Sequence, residues 1–409
     1  MDDLEILTNL PFDVRIKTFF DYLSERRLSG PVTQSTQANV WEVFRYDEAV
    51  QVLLDYQIFS SDMNAAVPAA LQQLARAATG HLAGIDPPRH DELRGLVNRA
   101  FTPRVVAALE PRISSIVERL LDDITTAGAA TVDVVGDFAS PLSATVIAEL
   151  FGIPDGDHRM FSVWADTLLN AKPAGKLGVA DSVAMSKVAD LVREVGEYLV
   201  QYIRDRRARP GNDLTSNLAA AEVDGHSLGD DEIIGVMGMF LIAGYLPTSV
   251  LIGNTVMCLD EYPEVFDEVR LQPAVLPKVI EEVLRWRPPL VRDQRIAKSQ
   301  VELGGRTVPA GSAVCVWLAS ANRDEFYFSN PDEFDVHRDN GRHLAFGRGI
   351  HYCLGMSLTR LECRIALGAL MRRFGRINVL RDDGVEFHKS IGMLGPSRLP
   401  VEIDLEGDR

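Results

Sequence analysis

The sequence predicts a mainly α-helical fold with a smaller β portion. The longest helical candidate, residues 233–259, contains no charged side chain. The sequence also contains shorter segments typical of strands. Residues 40–46 alternate apolar and polar side chains, and the Gly304-Gly305 pair separates two brief apolar runs. We assign residues 1–409 to a single domain, with its β-rich parts mainly at 30–60, 290–320 and 376–405 and helices in the remainder.

Most of the other segments carry helical patterns separated by chain breakers. After the strand at 40–46 we predict helices from about Asp47, from Arg89, and at about 105–126, 139–151, 157–171, 181–207, 281–286 and 358–374. The Pro173-Ala174-Gly175 break separates the helices at 157–171 and 181–207. Residues 60–84 are rich in alanine and precede Asp86-Pro87-Pro88, so we predict a loop there that lies over a ligand.

Composition and charge limit the class of protein. The chain is 46% apolar and 24% charged, which is ordinary for a soluble globular protein. Its net charge of −16 argues against nucleic acid as a partner. The four cysteines form no C-x-x-C pair, which indicates a reducing compartment, and the acidic N-terminus has no apolar run typical of a signal peptide or anchor. We expect a cytoplasmic protein and a monomer.

The uncharged stretch at 233–259 is long enough to cross a bilayer. Its flanks are acidic at both ends and carry no nearby lysine or arginine that would set an orientation in a membrane. Polar Asn254 and Thr255 and several glycines lie within it. These features favour a helix buried inside a large protein, so we expect no membrane partner.

A short stretch near the C-terminal end describes a metal-binding cysteine loop. It reads Phe346-Gly347-Arg348-Gly349-Ile350-His351-Tyr352-Cys353-Leu354-Gly355. Gly347 and Gly349 allow close approach of the backbone to a flat ligand, and Cys353 precedes a helix whose N-terminal end favours the thiolate. A buried thiolate without a cation is costly, so a metal is implied.

This stretch matches F-G-x-G-x-H-x-C-x-G at every fixed position, and the chain therefore resembles the cytochromes P450. The resemblance covers nearly the whole chain and implies the cytochrome P450 fold, with haem b (iron protoporphyrin IX) held by Cys353 as the metal ligand. Thiolate ligation of haem favours cleavage of the O–O bond. Phe346, Gly347, His351 and Gly355 are then expected to contact the cofactor, together with Ala243 and Gly244 of the uncharged stretch.

Other matches to the family support the same assignment. His90 and Arg94 are four apart on one helix face, as in the H-x-x-x-R that reaches the haem propionates, and Arg295 matches a third contact. Glu282 and Arg285 match E-x-x-R, the pair that pins the core behind the haem. A solvated salt-bridging face is the alternative for His90 and Arg94.

The uncharged helix departs from the family at the place where it would cross the distal face of the haem. Its centre reads Ala243-Gly244-Tyr245-Leu246-Pro247-Thr248. The family pattern is A-G-x-[D/E]-T, in which an acid and a threonine relay protons during oxygen activation. Here Leu246 replaces the acid and Pro247 the threonine. Pro247 breaks the helical hydrogen bonding and frees the Ala243 carbonyl for water, while Tyr245 and Thr248 supply hydroxyls; a kink without catalytic meaning is the alternative.

Several apolar side chains are predicted to line the substrate pocket, the usual character of a ligand site. They lie on the uncharged helix, after the E-x-x-R helix and in the C-terminal turn, with one arginine among them. The set is Met237, Phe240, Leu241, Leu290, Val291, Arg292, Met393 and Leu394.

The resemblance implies a monooxygenase that takes O2 and electrons from a ferredoxin and its reductase, since no flavin or iron–sulfur segment is present in the sequence. Six arginines near the cysteine side are either a basic face for that acidic partner or merely solvated: Arg99, Arg104, Arg348, Arg360, Arg372 and Arg373. We expect oxidation of a secondary metabolite of polyketide, peptide or cyclodipeptide-like class. Radical C–C or C–N coupling and non-catalytic haem binding or sensing remain open as alternatives.

Overall fold

A computed structural model describes residues 12–36, 39–62, 82–128, 130–161, 163–164, 182–223, 225–339, 342–381, 384–390 and 392–405. These residues fall into two compact units. Unit 1 comprises Met1–Met63, Ser114–Ala139 and Pro247–Arg409, and unit 2 comprises Asn64–Ile113 and Ser140–Leu246. Helices dominate and the sheets are small, as predicted. The assignment to a single domain stays a prediction.

The largest sheet lies in unit 1. Its five strands, in spatial order, are β1 (Val32–Gln34), β2 (Val40–Val43), β10 (Ala313–Val316), β7 (Asp293–Ala297) and β3 (Phe59–Ser60). Strand β10 runs parallel to β2, and the remaining neighbours are antiparallel. Val43, Val314 and Val316 are fully buried in its core. The strand predicted at 40–46 therefore pairs with β10, within the β-rich part predicted at 290–320, despite their distance in sequence.

Smaller sheets complete the β portion. In unit 1, β4 (Thr131–Asp133), β11 (Phe374–Val379) and β14 (Pro400–Leu405) form a three-stranded sheet in the order β11-β14-β4. Three two-stranded ladders pair β8 (Val301–Leu303) with β9 (Arg306–Val308), β12 (Glu386–Phe387) with β13 (Pro396–Arg398) and, in unit 2, β5 (Glu222–Val223) with β6 (His226–Ser227). The predicted Gly304-Gly305 turn joins β8 to β9, with both glycines at positive φ.

Helices make up most of the remaining described chain. Those wholly within unit 1 are α1 (Phe12–Ser29), α2 (Tyr46–Leu54), α10 (Pro263–Leu271), α11 (Leu276–Trp286), α12 (Leu318–Ala321) and α13 (Met356–Arg373). Those wholly within unit 2 are α3 (Arg89–Ala100), α4 (Pro103–Ala108), α6 (Ser140–Phe151), α7 (Ser182–Ala208) and α8 (Leu214–Ala220). Two helices cross from one unit into the other: α5 (Glu110–Thr126) and α9 (Asp230–Glu261).

The single helix predicted at 105–126 is wrong, because the structure divides it into α4 and α5 at Leu109. The Thr102 side chain caps α4 by accepting a hydrogen bond from the Val105 N–H at 3.3 Å. Pro111 lacks an amide hydrogen and therefore suits the first turn of a new helix. The predicted loop at 60–84, the helix at 157–171 and the Pro173-Ala174-Gly175 break lie largely or wholly outside the described residues.

Helix α9 contains the uncharged stretch and continues through Pro247 without interruption. It is one of two described helical segments that are long and apolar enough to cross a membrane by length and composition, the other being Val134–Phe151. In each helix an 18-residue window meets this criterion. The buried share of that window is 56% in α9 and 67% in Val134–Phe151. Core helices of soluble proteins have the same character.

Candidate functional site

The cysteine loop in unit 1 is closed by backbone hydrogen bonds. The Cys353 N–H donates to the Phe346 carbonyl at 2.9 Å, and a short 3₁₀ turn, Gly349–His351, lies between them. Gly347 and Gly349 have φ of 70° and 71°. A Cβ at Gly349 would lie 2.5 Å from the Leu53 carbonyl oxygen of α2, so only glycine fits there. Helix α13 begins three residues after Cys353, as predicted.

Cys353 differs from the other cysteines in its exposure. None of the four forms a disulfide, and Cys353 alone is partly exposed. Burial raises the pKa of the Cys258 and Cys315 thiols to about 12 and that of Cys363 well above its usual range. The three buried thiols are therefore inert, which leaves Cys353 as the cysteine able to reach a ligand.

The loop rests on a cluster of charged side chains. The Arg360 guanidinium of α13 lies over the Phe346 ring, 4.7 Å from its centroid, and donates to both carboxylate oxygens of Glu281 at 2.6 and 2.8 Å. His343 also contacts Glu281, with 3.1 Å between Nε2 and Oε2. Burial alone would raise the pKa of Glu281, but hydrogen bonds from Arg360 and His343 outweigh it and lower the pKa to about 2.

A second contact fixes the loop near α2. The Arg348 guanidinium donates to the Tyr46 hydroxyl at 3.3 Å, and that hydroxyl donates to the Arg342 carbonyl at 2.6 Å. The Tyr46 N–H donates to Asp324 at 2.7 Å. Burial, with Tyr327 nearby, raises the pKa of Tyr46 to about 12, so the phenol stays protonated and can act as this donor.

The predicted E-x-x-R pair is formed. Glu282 and Arg285 are fully buried and joined by two hydrogen bonds of 2.7 and 2.8 Å. Arg285 also donates to three backbone carbonyls between Asn322 and Glu333, so α11 holds the segment that leads into the cysteine loop. Arg338, which sequence reasoning did not assign, adds a second cation 3.5 Å from Glu282. A buried pair that is hydrogen-bonded on all sides is costly to break.

The predicted propionate contacts lie in both units. In unit 1, Arg295 is nearly buried on β7 and pairs with Asp293 at 2.8 Å, while His351 is half-buried in the cysteine loop. In unit 2, His90 and Arg94 occupy successive turns of α3. His90 is buried with its Nδ1 2.9 Å from Asp91, and Arg94 is half-buried. The solvated-face alternative therefore does not describe His90.

The centre of α9 shows different surroundings at each position. In unit 2, Ala243 is exposed and Tyr245 is buried, while Gly244 packs against α6 so closely that a Cβ would lie 2.6 Å from Ile147. That contact explains Gly244 by helix packing. In unit 1, the buried Thr248 hydroxyl lies 3.3 Å from the Thr359 hydroxyl on α13.

The pocket residues predicted on α9 are buried, and their place in a substrate pocket stays a prediction. Met237, Phe240 and Leu241 are all buried in unit 2. The Phe240 ring lies edge-on between Phe101 and Phe151, with centroid distances of 5.5 and 5.6 Å. These side chains pack into the core of unit 2 because aromatic rings stabilise each other in this geometry. The helix leaves Ile242 and Ala243 exposed instead.

The pocket residues predicted in unit 1 lie on two paired segments. Leu290 and Met393 form an isolated antiparallel bridge, and Leu290 is 41% exposed. Val291 and Leu394 are buried beside them. Arg292 is half-exposed, with its guanidinium 5.7 Å from the centre of the Trp317 ring. Leu290, Arg292 and Met393 are thus the members of this set that a ligand could contact.

Three of the six arginines predicted to form a basic face are paired within unit 1. Arg360 binds Glu281, and Arg372 and Arg373 lie 3.7 and 2.9 Å from Glu118. Each pair offsets positive charge on this surface. The basic face is therefore weaker than the arginine count implies.

Comparison with known proteins identifies the family. A family model described as cytochrome P450 matches residues 32–272 and 274–397. The chain belongs to the cytochrome P450 family. It is 41% identical to the cyclomarin C epoxidase CymV of Salinispora arenicola over 93% of this chain and 94% of that protein. It is 40% identical to the erythromycin C-12 hydroxylase of Saccharopolyspora erythraea over 93% of each chain.

Solved structures agree with this assignment. The ligand-free structure of cytochrome P450 TbtJ1 matches with a TM-score of 0.86 and 39% identity, over 95% of this chain and 97% of that one. The structure of HmtN, a hydroxylase of himastatin biosynthesis, matches with a TM-score of 0.82 and 39% identity, over 93% and 96% of the two chains. The P450 fold and monooxygenase class predicted from the sequence are confirmed.

Membership of the P450 family implies a haem cofactor, a small-molecule substrate, O2 and a redox partner. The residues of unit 1 fit a haem. The partly exposed Cys353 supplies a thiolate, a Cβ at Gly347 would meet nothing closer than 4.0 Å, and Arg295 supplies a nearly buried cation for a carboxylate. A soft thiolate with cations for acid groups is a donor set suited to an iron porphyrin.

Proposed function

We propose that this P450 carries haem b on Cys353 and oxidises a secondary metabolite of polyketide or peptide class. The observation that carries the proposal is the cysteine loop. In it, the partly exposed Cys353 follows two positive-φ glycines and precedes the start of α13. When bound through a thiolate, haem supplies activation of O2 for transfer to an organic substrate. The two relatives named above, an epoxidase and a hydroxylase, act on complex natural products, which supports this class.

The chain's own residues have separable roles in this proposal. His90, Arg94, Arg295 and His351 hold the propionates through charge-assisted hydrogen bonds. Cys353 holds the iron, and the Arg360–Glu281 pair fixes the loop that presents it. Haem contact is also proposed for the loop residues Phe346, Gly347 and Gly355 and for Ala243 of α9.

We propose that Leu290, Arg292 and Met393 contact substrate, because they are the partly exposed members of the predicted set in unit 1. An apolar lining with one guanidinium suits a large ligand with few acceptor groups.

Water held by the backbone of α9 is the proposed proton source. Leu246 and Pro247 carry no ionisable group, and the Thr248 hydroxyl is 3.3 Å from Thr359 rather than left open. Pro247 has no N–H to donate to the Ala243 carbonyl, and Ala243 is exposed, so a water molecule can donate to that oxygen. Radical C–C or C–N coupling stays a second candidate, because a site without an acidic relay also suits reactions that end in ring closure.

We further propose a monomeric cytoplasmic enzyme that receives electrons from a ferredoxin and its reductase. Screening polyketides and cyclic peptides for the absorption change that accompanies displacement of the iron-bound water would identify the substrate. Analysis of products formed with a ferredoxin system would then separate hydroxylation or epoxidation from coupling.

The cysteine assignment is tested by Cys353→Ser. The reduced, CO-bound protein should lose its red-shifted Soret band, because that band requires a thiolate ligand. Cys363→Ala is the matched control, since Cys363 is buried on the next helix and should leave the band in place. A red-shifted band in Cys353→Ser would overturn the assignment.

A further inference from the structure

Asn254 is a polar side chain buried in the C-terminal half of α9. It is 1% exposed, and its Nδ2 donates to the Arg287 carbonyl at 3.0 Å and to the Leu394 carbonyl at 2.9 Å. Both neighbours are acceptors, so the amide nitrogen must face them. One side chain thus joins three segments of unit 1: helix α9, the end of α11 and the turn that precedes β13.

The two segments bound by Asn254 also pair with each other. The Leu394 N–H donates to the Pro289 carbonyl at 2.9 Å, and the Val291 N–H donates to the Gly392 carbonyl at 3.1 Å. We call residues 289–291 and 392–394 the substrate ladder, because Leu290 and Met393 bridge within it. Two hydrogen bonds and one bridge make a very short ladder, and isolated two-stranded pairs are marginal in water.

Glycines fit the ladder closely against α9. A Cβ at Gly395 would lie 2.7 Å from Asn254 Oδ1 and closer still to Val250. A Cβ at Gly253 would lie 2.7 Å from Pro396. Neither position has room for a side chain, so the helix and the turn meet in a single register, and the Asn254 amide lies at the centre of that contact.

We propose that Asn254 is a positioning residue that fixes the substrate ladder and thereby determines which bulky apolar ligands the site accepts. The inference rests on the proposed function of Leu290 and Met393 as substrate contacts. A ladder held before binding costs less to order when a ligand arrives, so its loss lowers affinity for ligands large enough to touch it. A small ligand that reaches only the iron is unaffected.

The test compares Asn254→Leu with Thr255→Val. Leucine has the branching and the number of non-hydrogen side-chain atoms of asparagine, although it is larger, and it donates no hydrogen bond. Thr255 is the neighbouring residue, fully buried, and within the described part of the chain its hydroxyl donates to the Leu251 carbonyl of its own helix, at 2.8 Å. Thr255→Val therefore removes a buried hydrogen bond from the same helix without releasing the ladder.

The probes are clotrimazole, a bulky apolar azole, and imidazole itself, both read from the Soret shift on binding to the haem protein. Asn254→Leu should weaken clotrimazole binding at least about tenfold and leave imidazole binding within twofold, since one lost pair of buried hydrogen bonds has that order of effect. Thr255→Val should change neither. Equal clotrimazole affinity in the two variants would overturn the inference, whereas absence of imidazole binding in the unmodified protein would instead overturn the proposed function.

A second measurement does not use the haem. Hydrogen exchange at the Leu394 and Val291 amides should accelerate at least tenfold in Asn254→Leu relative to Thr255→Val, because these two amides make the ladder bonds. If Asn254→Leu does not fold, Asn254→Ser, which keeps one donor, should show smaller changes of the same sign in both measurements. Unchanged exchange in the folded variant would count against the role.

Discussion

At the scale of single residues, the predicted propionate contacts differ in how firmly the chain itself holds them. Arg295 has a carboxylate partner, Asp293, on its own strand. Arg94 is half-buried on α3, one turn after the buried His90. Sequence spacing was enough to place His90 and Arg94 on successive turns of one helix, because residues four apart share a face. Asp293 and Arg295 are two apart on β7 and therefore share a face of the strand, but spacing alone does not show which acid group binds the Arg295 guanidinium.

Arg94→Ala should lower haem retention. Loss of one charge-assisted contact to a propionate removes about 1.5–3 kcal/mol of binding. Retention is measured as the ratio of Soret to protein absorbance after gel filtration. Arg373→Ala is the control, because Arg373 pairs with Glu118 and Asp122 at the partly exposed end of α13. Equal retention in both variants would contradict the propionate role of Arg94.

His388 should make the free energy of unfolding depend on pH under mildly acidic conditions. Burial, with Arg15 nearby, lowers the pKa of His388 from its usual value to about 4. Between about pH 6.5 and pH 4 the unfolded chain therefore binds more protons at this site than the folded chain, and the free energy of unfolding falls as the pH falls. A shift of this size corresponds to about 1–3 kcal/mol after allowance for partial exposure.

His388→Phe should remove that dependence. The free energy of unfolding, measured with urea at several pH values between 6.5 and 4.5, should depend less steeply on pH in the variant. The difference in slope should correspond to up to about one bound proton. His337→Asn should keep the slope, because the His337 side chain is 59% exposed. An identical slope in His388→Phe and the unmodified protein would show that His388 is not responsible.

At the scale of elements, helix α9 shows which sequence rules held. Its length and its burial were predictable from the absence of charge and from the acidic flanks. A proline inside a helix was expected to break its hydrogen bonding, yet α9 continues in one run from Asp230 to Glu261. Packing on both sides of Pro247 can retain a helix that loses a single hydrogen bond. The contacts of Phe240 with Phe101 and Phe151 could not be predicted, because helical periodicity alone does not separate a core face from a ligand face when every side chain is apolar.

Restoring the family's side chains on α9 tests the proton source. The double change Leu246→Glu and Pro247→Thr adds a carboxylate and supplies an N–H for the Ala243 carbonyl, which displaces the proposed water. Product formed per electron consumed should fall, or the product distribution should change, with the substrate that the absorption screen identifies.

Pro247→Ala distinguishes the effect of the restored backbone N–H from the effect of the added side chains. It restores the N–H without adding a carboxylate or hydroxyl, so it should reproduce the loss if water at the Ala243 carbonyl carries protons. Faster turnover with tighter coupling and unchanged products in the double variant would require the proposed water relay to be abandoned.

At the scale of the whole molecule, the family and its fold were predictable because a ten-residue motif and an E-x-x-R pair lie in a chain of ordinary soluble composition. Contacts between residues distant in sequence were not, such as Arg338 with Glu282 or Arg360 with Glu281. Glutamate and arginine are too common for their pairing to be inferred without coordinates. The same limit applies to Asn254, whose two acceptors are backbone atoms and leave no side-chain pattern.

The protein should behave as a soluble enzyme although two of its helical segments could cross a membrane by length and composition. More than half of each apolar window is buried within the chain. After expression and lysis without detergent, it should remain in the supernatant of a high-speed spin and elute from gel filtration at the size of one 45.1 kDa chain. Recovery mainly in a membrane pellet that resists carbonate washing would contradict this.

The uneven exposure of the four cysteines has a practical consequence for preparing the enzyme. Three thiols are buried and held protonated, so a maleimide added to folded chains reacts with Cys353 alone. Iron ligation would protect that sulfur. The fraction of chains labelled at Cys353 therefore measures the fraction of the preparation that lacks the cofactor.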